Sequence, residues 1–438
     1  MFIYNKEIVV NTVYIIRSDQ STNPMFGDEC YELVYLDRDF LRLREYLRPG
    51  YTIVNEKPES GPYFYYIMLL QEVLSSIGLY DKEPPSLSKS MYIPADVMCD
   101  IQDGRCIVML DNSLEGFSID NYNLDFFDSL LGELKHYKNR IIFLTGDALL
   151  TLGDYIPSVF FNYWERNVVS HISGDNIGDE YLDYLQERER RIKNKTVPMF
   201  KGIYKNRLLR THRIFLTHLI NKNHLGDKIN YSFGIVTHHG GKDKNYNADI
   251  LQQVLFKTSR EFDLSYEYLS EWLKCHGEKN LYHEKINLHQ NQASKYRDEL
   301  FAAHLDSYFE IVGETNFSQQ TLFQSEKTFK SIAFMSPFVV AAEANSINLL
   351  REMGYDVFDD IIDHGYDSIK NSRDRMMALV KEISRLCEKT DSEWSDILFE
   401  IYPRLEKNRL HLLNAHNRFN ELTPVYQGKK TNIDWNKK

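Results

Sequence analysis

Short, continuous apolar runs alternating with amphipathic segments constrain this chain more than any other feature. Residues 308–312 (YFEIV), 338–342 (FVVAA) and 355–358 (YDVF) read as strands. Between them, 325–333 (SEKTFKSIA) and 346–353 (SINLLREM, stopped by Gly354) read as helices. Strands apolar on both faces and separated by helices belong to a parallel sheet covered on both sides. The spacing therefore predicts a β-α-β-α-β unit over 308–358. An earlier stretch follows the same scheme. The runs 105–110 (RCIVML), 140–144 (RIIFL) and 159–163 (VFFNY) are apolar, with an amphipathic helix predicted over 124–137.

The chain has 438 residues, more than one ordinary core holds. The predicted organisation is an α/β domain over 1–176, a charged connector over 177–200 and a second α/β domain over 201–366. Helices and a basic tail fill 367–438. In the first domain, 63–77 (YFYYIMLLQEVLSSI) reads as a helix closed by Pro84 and Pro85, and its tyrosines as core. In the second, Thr211 caps a helix running to about 223, with Gly226 beyond its end. Residues 229–236 read as a strand, 245–300 as largely helical and polar, and 367–420 as long amphipathic helices.

Lys and Arg number 52 against 63 Asp and Glu, a formal charge of −11, which argues against a surface built to coat itself in phosphate. The five cysteines have no CxxC pair, so neither a zinc site nor a disulfide framework is expected, and a reducing cytoplasm is the default. The N-terminus carries Lys6 and Glu7 and lacks a signal peptide's apolar core. No apolar run approaches the ~20 residues that span a bilayer, so no integral membrane contact is expected. The expected location is cytoplasmic, and host cytoplasm if the chain is viral.

Chemistry is sought where strands end and helices begin, because ligands of open α/β sheets bind outside the strands' carboxyl ends and helix N-termini attract phosphate. Glu314-Thr315-Asn316 and Ser325-Glu326-Lys327 both lie there. Lys327, in the first turn of its helix, can point at a diphosphate, and Glu326 can accept from ribose hydroxyls. The plain structural alternative is a favourable first-turn acid beside a solvated lysine.

The stretch YFEIVGETNF…LFQSEKTFKSIAFMSPFVVAA resembles the donor-site motif of the fucosyltransferase-type and exostosin-type glycosyltransferases. That motif is a strand, an acidic-Asn turn, Ser/Thr-Glu-Lys opening a helix, and a Pro-Val-Val strand. The resemblance implies a GT-B-like fold, two Rossmann-type domains facing a cleft with C-terminal helices bracing them. It implies a nucleoside-diphosphate sugar as co-substrate, held by Glu314, Asn316, Glu326 and Lys327. Ala341-Ala342 stands where the fucosyltransferases usually have Leu-Gly, which bears on the sugar. Residues 204–213 (YKNRLLRTHR) resemble the Asn-Arg-x-x-Arg-x-His-Arg stretch that opens the second domain of related phage and bacterial transferases. This adds Asn206, Arg207 and Arg210 as donor ligands; guanidinium groups suit a departing diphosphate. The charged run 188–195 reads instead as solvated.

An inverting transfer needs a base for the acceptor hydroxyl. Glu115, in LDNSLEGF past the strand 105–110, is placed first, Asp111 second and Asp147 third; each can also be an ordinary loop acid or cap. His238-His239 and the Asp359-Asp360-Ile361-Ile362-Asp363 run are in poor context for metal, so no cofactor or essential metal is expected. The acceptor is a surface glycan or a hydroxymethylated DNA base. The acidic net charge favours the first; ten Lys/Arg within 188–213 and the basic tail keep the second open. The alternative is a non-catalytic α/β protein that binds a nucleotide or glycan.

Overall fold

The computed structural model describes residues 12–14, 52–54, 57–61, 63–68, 93–113, 127–128, 131–150, 155–173, 178–206, 209–232, 236–239, 242–245, 248–276, 301–318 and 321–415. The chain divides into two compact units, Met1–Ser170 with Asn414–Lys438, and His171–Leu413.

The first unit holds β1 (Thr12–Tyr14), β2 (Thr52–Val54), β3 (Tyr63–Met68), β4 (Cys106–Asn112), β5 (Ile141–Thr145) and β6 (Ser158–Phe160). They form one sheet in the order β2-β1-β3-β4-β5-β6, parallel throughout. Helix α1 (Ala95–Gln102) precedes β4, a 3-10 helix (Gly132–Arg140) precedes β5, and α2 (Tyr163–Ser173) follows β6. Val108 and Leu110 of β4, Ile141 and Phe143 of β5, and Val97 and Ile101 of α1 close the core. The helix predicted over 63–77 is corrected in its described part, where YFYYIM is strand β3. Tyr63 and Tyr65 both enter the core, the period of two that a strand requires. Of the helix predicted over 124–137, residues 127–128 and 131 are helical and the 3-10 turn takes over from Gly132. At the sheet's N-terminal edge, Asp100 accepts from Tyr63 Oη at 2.7 Å and Arg105 Nε at 3.0 Å.

The second unit runs α3 (Gly178–Lys193), β7 (Phe200–Tyr204), α4 (Thr211–Lys222), β8 (Ile229–Tyr231), β9 (Val236–His239), β10 (Lys242–Asn245), α5 (Ala248–Phe262), α6 (Tyr266–His276), β11 (Ser307–Gly313), α7 (Glu326–Ala333), β12 (Phe338–Ala341), α8 (Ser346–Glu352), α9 (Ser372–Glu388) and α10 (Asp391–Leu413). A four-stranded parallel sheet has the order β12-β11-β7-β8. The single strand predicted over 229–236 is two: β8 in this sheet, and β9, which forms an antiparallel hairpin with β10. His238 and His239 lie in that hairpin.

The run read as solvated at 188–195 is helical to Lys193, and Arg188 is buried. Its Nη1 donates to the carbonyls of His304 at 2.8 Å and Ser307 at 3.2 Å, so this guanidinium ties down the entry to β11 rather than facing water. Residues 355–358 form no strand. Gly354 (φ 89°) and Phe358 (φ 63°) turn the backbone at both ends, and Asp356 is taken by Arg404 and by Asn408. The predicted C-terminal helices are α9 and α10. Asn371 caps α9 by accepting from Asp374 N at 3.0 Å. Thr390 and Glu393 form a reciprocal capping box at the start of α10. Trp394 of α10 is fully buried, stacks near-parallel to Tyr308 and Phe309, and donates from Nε1 to Leu386 O at 2.9 Å. Among the described residues no helix is long and apolar enough to cross a membrane.

Candidate functional site

In the second unit, β7 is flanked by β8, which follows it in the chain, and by β11, which comes much later. The strand order reverses between β7 and β11, and the crevice at the carboxyl ends of two such strands is where open α/β sheets take ligands. The sequence fills this place with polar residues: Asn206 after β7, Gly313 and Glu314 at the end of β11, and the first turns of α4 and α7.

Glu314 organises the crevice. It is fully buried, and its carboxylate accepts from Ser325 N (3.1 Å), Ser325 Oγ (2.5 Å), Thr328 Oγ1 (2.6 Å) and Thr315 N (3.1 Å). Its backbone carbonyl accepts from His212 Nε2 (2.9 Å) and Arg213 Nη2 (3.0 Å). One residue therefore joins the first turn of α7 through its side chain to the first turn of α4 through its main chain. Ser325 caps α7, its Oγ accepting from Lys327 N.

Lys327 and Glu326 remain partly open, with side chains 30% and 24% exposed. Lys327 Nζ lies 3.1 Å from Glu326 Oε1, 3.0 Å from Ser325 Oγ and 3.4 Å from Thr315 Oγ1. Burial acts to raise the Glu326 carboxyl, but the Lys327 and Lys330 charges outweigh it and hold the group at about 2. Arg210 occupies the N-cap position of α4, which has no acid in its first turn. His212 is buried and stacked on Phe317 at 5.3 Å. Burial, then the charges of Arg213 and Arg210, and more weakly Lys327, push it well below its usual 6.5. It is neutral, and Nε2 carries the proton it gives to Glu314. Burial, with Arg210 beside it, also lowers Arg213 to about 10.

Asn206 is anchored through its backbone, its N–H donating to Ser232 Oγ at 3.0 Å and its carbonyl accepting from the same hydroxyl at 3.2 Å. Its side chain is buried against the Tyr204 hydroxyl. A Cβ at Gly313 would stand 3.1 Å from the Tyr204 ring and 3.2 Å from Asn206 Oδ1, so this close approach suits glycine. Asn316 is buried in the turn after β11.

The structure thus places Glu326 and Lys327 in direct contact, and Glu314 meets them through Ser325 and Thr315. Asn206 stands against Gly313, and Arg210 is near enough to act on His212 and Arg213. Arg207 and Glu115 lie outside the described residues. Sequence reasoning left out Ser325, Thr328, His212 and Arg213 as parts of the site; the Thr-His-Arg run at 211–213 and the hydroxyl spacing at 325 and 328 carried the signal. Asp359 and Asp360 are bound by Arg351 and Arg404 in salt bridges of 2.6 Å and 2.8 Å.

In the first unit, Asp111 lies at the carboxyl end of β4. It is 2% exposed, and Oδ1 accepts from Ser113 N at 2.8 Å. Asp147, past β5, is also buried, and its Oδ1 accepts from Leu149 N at 3.0 Å. Compared with known proteins, the chain matches no family model, no curated protein and no solved structure.

Proposed function

We propose that this chain is a glycosyltransferase of GT-B-like architecture, moving a sugar from a nucleoside-diphosphate donor to a hydroxyl with inversion and without an essential metal. The observation that carries the proposal is the charge at the β7–β11 crevice. Helix N-termini are already positive, and cations there are disfavoured unless an anion joins them. Yet α4 begins with Arg210 and Arg213 and α7 with Lys327, three cations against the two carboxylates of Glu326 and Glu314. Their combined field is felt at His212, which stays neutral. A diphosphate would balance the excess of positive charge, with Lys327 and Arg210 on its oxygens, Arg207 added from the adjoining segment, and Glu326 on ribose hydroxyls. Glu314, saturated by its own chain, would hold α7 in place beneath the donor, and Asn206 and Asn316 would line the wall.

The base that takes the acceptor proton would come from the first unit, as Glu115 or Asp111. The acceptor is a glycan or a hydroxymethylated DNA base. A second reading, a non-catalytic nucleotide- or glycan-binding protein, draws support from Asp111, whose carboxylate is buried and holds its own turn.

The test is a thermal-shift screen of nucleoside diphosphates and their sugars with wild type and Lys327→Ala, followed by assay of nucleoside diphosphate release. A ligand at 100 times its dissociation constant stabilises by about 2.7 kcal/mol. Lys327→Ala is expected to fold, lose this stabilisation and lose release. Undiminished release by Lys327→Ala sinks the assignment; binding without release in wild type favours the second reading.

A further inference from the structure

The first unit carries a second polar cluster. In the parallel register, Asn112 of β4 stands beside Thr145 of β5, and Thr145 beside Phe160 of β6, so the carboxyl ends of three strands form one row. Three polar groups in or just past this row make no hydrogen bond to any of the described residues: Asn112 Oδ1, Ser113 Oγ and Asn162 Nδ2. Their residues are at least nine-tenths buried, at 2%, 0% and 9% exposure. Buried polar atoms are ordinarily paired, and leaving one unpaired is costly. Three on one edge of a sheet, at the end where α/β folds take ligands, mark a place built for hydrogen bonds the chain does not itself supply.

The chemistry of the row names the ligand. It offers an amide oxygen that only accepts, an amide nitrogen that only donates and a hydroxyl that does either. Beside them are the carboxylates of Asp111 and Asp147, and in the first turn of α2 the buried, oppositely charged Glu165 and Arg166. An anion would meet the carboxylates and the amide oxygen unfavourably. A nucleic-acid backbone is held mainly by cations, which do not dominate here. Mixed donors and acceptors without net positive charge match vicinal hydroxyls. Three strand ends span two inter-strand steps, about 10 Å, which suits a disaccharide. We infer that the carboxyl edge of β4–β6 binds a neutral saccharide through Asn112, Ser113 and Asn162. This rests on the transferase proposal and deepens it, naming the acceptor as a glycan and not a modified DNA base.

The probes are maltose, lactose and cellobiose, a duplex oligonucleotide containing hydroxymethylcytosine, and UDP and GDP. They are added to wild type, Asn112→Leu and Ser113→Ala, and read by thermal shift and saturation-transfer NMR. At least one disaccharide is expected to raise the wild-type melting temperature and show saturation transfer, and both signals vanish in Asn112→Leu. Without ligand, Asn112→Leu is expected to melt close to wild type, since the buried Oδ1 it removes makes no hydrogen bond to the described residues. Ser113→Ala, a smaller change, should weaken the saccharide signal several-fold and serves if Asn112→Leu fails to fold. The inference is overturned if no disaccharide binds, if binding survives both substitutions, or if the duplex binds in place of the saccharides and is lost in Asn112→Leu. Nucleotide binding lost in Lys327→Ala while saccharides fail identifies this site as wrong and leaves the transferase proposal standing. Saccharide binding without nucleotide binding has the opposite meaning.

Discussion

Replacing Glu314 by glutamine tests whether one carboxylate holds the crevice together. The substitution keeps shape and removes charge. All four groups facing the carboxylate are donors in this arrangement, two of them backbone N–H groups and two hydroxyls. The amide nitrogen of glutamine must face one pair. A hydroxyl can rotate to accept from it; a backbone N–H cannot, so at least one buried donor, Thr315 N or Ser325 N, loses its partner. That costs about 1–3 kcal/mol. The remaining bonds change from charge-assisted to neutral, which roughly halves them and adds about 1 kcal/mol. The total is about 2–4 kcal/mol, and for a domain of this size roughly 2–4 °C per kcal/mol, a fall of about 4–16 °C in the second unit's transition. Differential scanning calorimetry of Glu314→Gln measures it. A melting temperature within about 1 °C of wild type, with nucleotide affinity unchanged, refutes the hub role.

Acid should weaken the second unit well before its carboxylates titrate. His212 and His304 are fully buried and held well below 6.5, chiefly by burial and then by neighbouring Arg and Lys charges. Below 6.5 the unfolded chain binds protons that the folded chain does not, so stability falls as pH falls. Between about pH 7.5 and pH 5.5 the two contribute a loss of stability, measurable by urea denaturation and absent if their neutrality in the fold is wrong. Gly202→Ala would place a Cβ 2.9 Å from Phe309 Cζ, against a ring stacked on Trp394. The expected cost is about 1–3 kcal/mol in chemical denaturation, partly recovered by adding Phe309→Leu; a neutral Gly202→Ala counts against this packing.

Much of the second unit was legible because its strands are apolar on both faces and bounded by polar turns, as β11 and β12 are. The β3 segment misled for a local reason. YFYYIM followed by LLQEVL has helical spacing when taken together, and only the buried pair Tyr63 and Tyr65 shows the shorter period. Residues 355–358 look like a strand by composition, but the positive φ of Phe358 and the Arg404 contact to Asp356 are tertiary outcomes that no local pattern encodes. At the site, an acid at the end of β11 and a Ser-Glu-Lys helix start could be found by position. That Glu314 is saturated by hydroxyls eleven and fourteen residues away could not, since spacing does not say which carboxylate a serine will meet.

Arg375 bears on how the crevice can move. Its guanidinium, buried over the Phe317 ring, donates to the carbonyls of Phe317, Ala342, Ile369 and Lys370 and lies 3.3 Å from Glu343 Oε1. The turn after β11, the end of β12 and the strand-like approach to α9 are thereby pinned to one rigid plane. A lysine could not hold four carbonyls in that geometry. Swinging the turn outward would strip the Phe317 carbonyl of its charged donor. The 314–318 turn is thus a fixed wall of the crevice, against which a ligand is measured rather than around which the chain folds.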